Sequence, residues 1–319
     1  MNLANVEARL KDTFADRIRS DFDLARFTTY RLGGPASLYV EPRSVEEIER
    51  LAAALKDESA EGAPVLLLGR GSNLVISDAG WPGVVIRMSA SFSWIKDDEA
   101  PGAGNARALT AGSATALPLL ANWAARRGLS GLEFAVAIPG SVGGAVKMNA
   151  GAHGGEVADH LTSATIFSLE TLTVEQRDRS ALGFAYRKSN LGPEELVLEA
   201  RFSLSPGDEV EIRERMERFR KHRADTQPGA VQNAGSVFKN PPGDSAGRLV
   251  EAAGLKGFRV GGAAVSDLHA NFFIADRGAT SQDVYDLVAS VRARVKDTFG
   301  VALEPEIRFV GDFEERVAS

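Results

Sequence analysis

The run GLEFAVAIPGSVGGAVKMNAGAHG, residues 131–154, decides how this chain is read. Glycine stands at 140, 143, 144 and 151, interleaved with Ser141, Ala145, Asn149 and Ala150. A tight turn needs one or two glycines. A run this poor in side chains lets a ligand or another backbone come close. The competing reading is a Gly-rich strand packed closely on a helix. A first glycine run, GRGSN at 69–73, follows the apolar stretch Pro64–Leu68. It invites the dinucleotide fingerprint GxGxxG, but the sixth position is Leu74 and no helix pattern follows, so that reading fails on context. No GxxxxGK[ST] phosphate loop occurs either. What survives is a loop whose backbone N–H groups converge as an anion nest, with an ordinary glycine turn as the alternative. Two such nests suit a diphosphate held from two sides.

Working outward, residues 1–26 read as a charged helix and a connection. FTTYRLGGPASLYVEP (27–42) reads as strand, Gly-Gly turn, strand. Ser44 and Glu47 form a capping box before a helix with apolar Ile48, Leu51, Ala52 and Leu55 at helical spacing. From Pro64 to Arg87 the pattern is strand, loop, strand, turn, strand. Residues 115–127 are amphipathic and stop at Gly128, a helix-ending signal. Short strands fill 155–204, a charge-dense helix spans 207–223, and a short helix covers 245–253. Strands lie near 258–275. A Thr280-x-x-Asp283 box opens a last helix with the stripe Val284, Leu287, Val288, Val291, Val295. The tail, 301–310, reads as a strand. Strand runs with segregated helices predict an α+β fold rather than a regular βαβ array.

Composition bounds the function. Hydrophobic residues are 44% and charged residues 25% of 319, which excludes a disordered chain and predicts at least two domains. With 37 basic and 43 acidic residues the net charge is −6, a poor match to a nucleic-acid binder. Cysteine is absent, which removes disulfides, thiolate nucleophiles and Cys-based metal or iron–sulfur sites. Only four histidines occur, without metal-ligand spacing, so no metal is expected. MNLANVEARLKDTF does not read as a secretory signal, and no run approaches the ~18 apolar residues of a membrane span.

Three further segments carry chemistry: Tyr186-Arg187-Lys188-Ser189, Gly235-Ser236-Val237-Phe238-Lys239-Asn240-Pro241, and Leu303-Glu304-Pro305-Glu306-Ile307-Arg308-Phe309. Read singly, each has an ordinary alternative. Arg187 beside Lys188 fits a solvated pair, Ser236 a turn residue, and Glu306 an outward position on a strand.

The two glycine runs together resemble the FAD-binding lobe of the p-cresol methylhydroxylase / vanillyl-alcohol oxidase class. Eight blocks in order, FTTYRLGGPA, the two glycine runs, GFAYRKS, AGSVFKNP, AGRLVEAAGLKG, GGAAVSDLHANFF and LEPEIRFVG, are similar to the UDP-N-acetylenolpyruvoylglucosamine reductases, in their shorter, type II branch. Departures are Ser141 where Thr is common, Lys147, and His153 where Tyr is common.

The resemblance implies an FAD lobe of that class plus a smaller α+β substrate-binding domain. The expected boundaries are an N-terminal α/β segment 1–60 joined by the tail 304–319, an FAD lobe 61–205 and a substrate domain 206–303. It implies non-covalent FAD, since the chain has no Cys and the 69–78 loop no His. Expected FAD contacts are Gly69, Arg70, Gly71, Ser72, Asn73, Leu74, Pro139, Gly140, Ser141, Gly143, Gly144, Asn149, Ala150 and Gly151. NADPH is the implied co-substrate and an enolpyruvyl UDP-sugar the implied substrate. The reaction implied is reduction of a CH–CH bond in peptidoglycan precursor synthesis, in the cytoplasm, with no nucleic acid, membrane or obligate protein partner. Arg187 would bind the substrate carboxylate and developing enolate, Glu306 would share that role or orient Arg187, and Ser236 would protonate carbon. Tyr186, Lys239, Asn240, His269 and Asn271 would contact the UDP-sugar. The competing readings are another flavin oxidase of the same class and a non-enzymatic nucleotide-binding protein.

Overall fold

The computed structural model describes residues 3–57, 63–98, 106–229 and 231–315. The outer ends of the expected domain boundaries, at 1–2, 58–62 and 316–319, lie outside them. Helix and strand alternate irregularly, as the α+β reading expects. The chain separates into two compact units: Met1–Ser20, Leu38–Arg70 and Gly83–Arg223 form the first, and Asp21–Ser37, Gly71–Pro82 and Ala224–Ser319 the second.

The first unit holds a four-stranded sheet, ordered Ile18–Asp23, Pro35–Val40, Trp81–Ile86, Val65–Leu67. Helices Leu3–Phe14 and Val45–Asp57 cover it, burying Val6, Leu10 and Phe14 from one and Ile48, Leu51 and Leu55 from the other. At the second helix only half of the expected capping box forms. Ser44 Oγ accepts from Glu47 N–H at 3.3 Å, while the Glu47 carboxylate takes Arg43 N–H and the Arg17 guanidinium.

A second sheet of this unit is antiparallel around the long strand Glu195–Pro206, which pairs with Leu161–Ser168 on one side and Arg107–Gly112 on the other. Ala164, Ala200 and Ala111 stand opposite one another across three strands, all buried. That row of methyl groups leaves room for the helix Val142–Met148 to approach closely. The helix Glu209–Thr226 buries Ile212 and Met216 in the same core. The sequence reading divides the chain before this helix, at 205/206. Compaction divides it within the last turn of the helix, at 223/224, because those two side chains anchor most of the helix to the first unit.

In the second unit, strands Arg259–Val260, Ala263–Val265 and Phe273–Ala275 form an antiparallel sheet. The helix Ser281–Phe299 lays Val284, Leu287, Val288, Val291 and Val295 into its core, the stripe read from sequence. Its capping box is complete: Thr280 Oγ1 accepts from Asp283 N–H at 3.1 Å and the Asp283 carboxylate from Thr280 N–H at 3.0 Å. Gly300, at φ 70°, closes it in the left-handed conformation.

Three local expectations change. The strand expected at 27–32 is absent; a 3₁₀ turn, Ala25–Phe27, leads into irregular chain. Tyr30 explains this. Its ring is fully buried, its hydroxyl donates to the Phe273 carbonyl at 3.0 Å, and Thr28 Oγ1 takes up the Leu32 N–H locally. The tail strand shortens to Arg308–Val310, parallel to Leu74–Ile76, because residues 304–306 pair instead with Val237–Lys239. The strand Ile18–Asp23 was not read at all; its charged, outward residues mask the single buried Ile18. Among the described residues no helix is long and apolar enough to cross a membrane, and no group of three metal-ligating side chains assembles.

Asp78, which closes the first glycine run's strand, accepts Ser281 N–H at 2.9 Å and Gln282 N–H at 3.1 Å at the start of the last helix. Asp78→Ala is expected to lower unfolding free energy by about 1–2 kcal/mol, read as a shifted denaturant midpoint at unchanged slope.

Candidate active site

Gly69, which opens the first glycine run, meets the second run inside the first unit. A Cβ built on Gly69 would stand 2.9 Å from Ser141 Oγ, so a side chain at 69 would push the runs apart. The second run is not a loop throughout: it opens the helix Val142–Met148, with Ser141 at the N-cap position but its side chain making no capping bond. Two glycines inside so short a helix cost it roughly 1 kcal/mol each against Ala. Packing overrides this, because Val142, Ala145 and Val146 are buried on one face.

The four glycines within 139–152 divide by what surrounds them. A Cβ on Gly143 would come within 3.1 Å of Ser113 Cβ, and Gly143 N–H donates to the Ser113 carbonyl. A Cβ on Gly151 would come within 2.7 Å of the Gly155 carbonyl and 2.9 Å of Arg187 Nη1. Packing therefore demands glycine at 151 and leaves only a tight fit for a side chain at 143. At Gly140 and Gly144 a Cβ would meet nothing nearer than 3.6 Å. Packing does not require glycine there, whereas close approach by a ligand does. Gly69, Arg70, Pro139 and Gly144 are exposed, and Gly140 and Ala150 half-buried. These residues fit the diphosphate of the FAD that the resemblance implies.

Asn149 stands apart from them. It sits at φ 42° and is fully buried. Its Oδ1 accepts Ala158 N–H at 3.0 Å and its Nδ2 donates to the Ala185 carbonyl at 3.1 Å. Expected at the cofactor, its amide is spent on two backbone segments.

Tyr186 and Arg187 form the tip of a turn closed by reciprocal backbone bonds between Ala185 and Lys188, both 3.0 Å. The Arg187 guanidinium lies 4.9 Å from the Tyr186 ring centroid, and its Nη2 donates to the Gly151 carbonyl at 2.6 Å. A planar cation is thereby held at the end of the second glycine run. A guanidinium so placed can present its remaining donors to a carboxylate.

The rest of the first run, Gly71–Leu74, belongs to the second unit. Gly71 has φ 61°, and a Cβ there would fall 2.1 Å from the Phe27 carbonyl. Ser72 is half-buried and Leu74 starts a strand. Asn73 Nδ2 donates to the Glu306 carbonyl at 3.0 Å, and Arg308 N–H donates to the Asn73 carbonyl at 2.9 Å. Glu306 N–H in turn donates to the Val237 carbonyl at 2.7 Å. Asn73, Ser236 and Glu306, distant in sequence, are thus neighbours along paired backbone.

Asn271 secures the Ser236 segment. It is buried, its Oδ1 accepts Phe238 N–H at 2.9 Å, and its Nδ2 donates to the Phe238 carbonyl at 2.8 Å. The side chain takes the place of a neighbouring strand. Lys239 is ion-paired with Glu304 at 2.5 Å, and Asn240 Oδ1 accepts Ala246 N–H at 3.0 Å at the start of a helix. His269 Nδ1 accepts Asn271 N–H at 3.1 Å, and burial lowers the His269 pKa. Sequence reasoning names Lys147 and Ser189 without giving them a role, because their bonds to and from the Arg187 segment leave no trace in residue type or spacing.

The sequence was then compared with known proteins. Residues 227–310 match the model of the UDP-N-acetylenolpyruvoylglucosamine reductase C-terminal domain, and residues 36–173 that of an FAD binding domain. UDP-N-acetylenolpyruvoylglucosamine reductase 2 of Symbiobacterium thermophilum is 44% identical over 95% of this chain and 96% of its own length. The reductase of Rubrobacter xylanophilus is 44% identical over 92% of this chain and 95% of its own length. The crystal structure of the Thermus caldophilus enzyme superposes with a TM-score of 0.77 at 39% identity, covering 92% of this chain and 99% of that one.

The His269 environment carries a prediction. Its folded-state pKa lies below that of the unfolded chain, so unfolding takes up a proton as pH falls. The stability this residue contributes is complete above about pH 6.5 and declines as pH drops through the folded value. His269→Gln is expected to reduce the difference in urea midpoint between pH 8 and pH 5.5, whatever its effect at pH 8.

Proposed function

The chain belongs to the UDP-N-acetylenolpyruvoylglucosamine reductase family, and from that premise we propose that it reduces the enolpyruvyl ether of a UDP-N-acetylglucosamine derivative to UDP-N-acetylmuramate, with FAD as cofactor and NADPH as reductant. This is an oxidoreductase step of peptidoglycan precursor synthesis, and we assign it to the cytoplasm without an obligate protein partner. The observation that carries the reading is the Arg187 guanidinium bonded to the Gly151 carbonyl, at the end of a run whose Gly140 and Gly144 leave room for a ligand.

Residues of both glycine runs, Gly69–Leu74 and Pro139–Gly144 with Ala150 and Gly151, would hold FAD through backbone N–H groups and the absence of side chains. Bound there, FAD supplies hydride relay from NADPH to the terminal carbon of the enolpyruvyl group. Once that carbon has gained its hydride, negative charge spreads over the neighbouring carbon and its carboxylate. Arg187 neutralises that charge with a fork of N–H donors aimed at planar oxyanions. Glu306 shares that role as the acid form, which donates, or orients Arg187 as the carboxylate, which accepts. Ser236 gives its Oγ proton to the adjacent carbon, completing the saturated ether. A hydroxyl is a weak acid near neutral pH, and it serves because the carbon it protonates is strongly basic. Tyr186, Lys239, Asn240 and His269 bind the UDP-sugar in this reading. Asn271 supports it by holding the Phe238 backbone.

The two half-reactions separate the roles. Purified protein loaded with FAD is expected to bleach on addition of NADPH and to regain its flavin band on addition of the enolpyruvyl UDP-sugar. Ser236→Ala is expected to keep the bleaching and lose the recovery. Equal loss of both steps would count against Ser236 as the proton donor.

A further inference from the structure

Arg187 stands at φ 55°, in the left-handed region that side chains with a Cβ rarely adopt. Such a conformation persists where the surroundings over-determine it. Its own segment provides only part of that support: between Gly183 and Gly192 the backbone joins no helix or ladder, the Ala185–Lys188 pair is an isolated bridge, and Asn190 N–H closes on the Leu182 carbonyl at 3.0 Å. The remaining restraint comes from residues 147–151. Lys147 Nζ donates to the Leu191 carbonyl at 2.7 Å and also to the Gly192 carbonyl. Ser189, buried, donates its hydroxyl to the Lys147 carbonyl at 2.8 Å. Asn149 grips Ala185, and Arg187 itself grips Gly151. Both flanks of the turn are therefore tied to one short stretch of the second glycine run.

We propose that Lys147 and Ser189 are positioning residues for Arg187, locking its turn to the glycine run so that the guanidinium is held in place before substrate arrives. This rests on the reading of Arg187 given above. The ammonium is well suited to the task. It satisfies the Leu191 carbonyl and adds to the long 3.4 Å bond that the Gly192 carbonyl accepts from Glu195 N–H, and Glu195, whose carboxylate accepts Gly192 N–H and pairs with Arg177, offsets its charge from the start of the following strand. A neutral side chain of equal length would leave both carbonyls without this donor and release the turn's C-terminal flank.

The test compares Lys147→Met, Lys147→Arg and Arg187→Ala by stopped flow, each loaded with FAD. In Lys147→Met, flavin reduction by NADPH should stay within about twofold of the parent. Reoxidation by the enolpyruvyl UDP-sugar should slow about tenfold or more, in its limiting rate rather than in the substrate concentration needed. Amide hydrogen exchange across 183–192 should accelerate in the same protein, and Lys147→Arg should restore both readouts. Ser189→Ala, which removes a single hydroxyl, serves in the same assays if Lys147→Met does not fold. A folded Lys147→Met or Ser189→Ala that reoxidises at the parental rate, or slows both half-reactions equally, overturns the proposal. If Arg187→Ala reoxidises at the parental rate, the catalytic reading of Arg187 fails instead, which is a separate result.

Discussion

Close approach of backbone to backbone is the constraint on which the first unit depends. The helix Val142–Met148 is too short to persist by itself. It is held because a row of alanines, Ala164, Ala200 and Ala111, lowers the sheet beneath it and because Gly143 lets it touch Ser113. Everything proposed for this unit follows from where that helix sits. Ser141 at its start adjoins Gly69, and Asn149, Gly151 and Lys147 at its end carry the Arg187 turn. A larger residue in the alanine row would lift the helix and move both ends together.

Glycine density was the right signal, but for mixed reasons. At 151 the residue is demanded by the protein's own packing, and at 143 a side chain would fit only tightly, so close packing accounts for glycine there without a ligand. At 140 and 144 it is not, and those positions keep the argument for a ligand. Residue type cannot make this division, because a glycine against a carbonyl and a glycine against a phosphate look the same in sequence.

Legibility follows a similar line. The last helix was readable in full, since its capping box and its five-residue stripe are local patterns with fixed spacing. The chain around Tyr30 was not, because its conformation is set by a hydrogen bond to a carbonyl far along the sequence. The candidate site shows the same contrast. Ser236 and Glu306 emerged from motif resemblance, and the backbone pairing that makes them neighbours was invisible. Asn149 and Asn271 drew notice as polar residues in suggestive runs. Both prove to be buried amides that stand in for missing backbone partners. Asparagine serves either purpose with the same atoms, so only the structure separates them.

The pairing of the tail with the first glycine run bears on how the protein is made. Asn73 is bonded to Glu306 across 233 residues, and Tyr30 to Phe273 across 243. At a synthesis rate of about 5–20 residues per second, the early partners wait roughly 10–50 s for the late ones to leave the ribosome. Helices and hairpins of the first unit can form during that interval, since their contacts are local. The second unit cannot close, because its sheet, its long helix and its tail strand all arrive last. Leu74–Ile76 is therefore a nascent strand edge, open to chaperones and to other chains, until Arg308–Val310 has emerged.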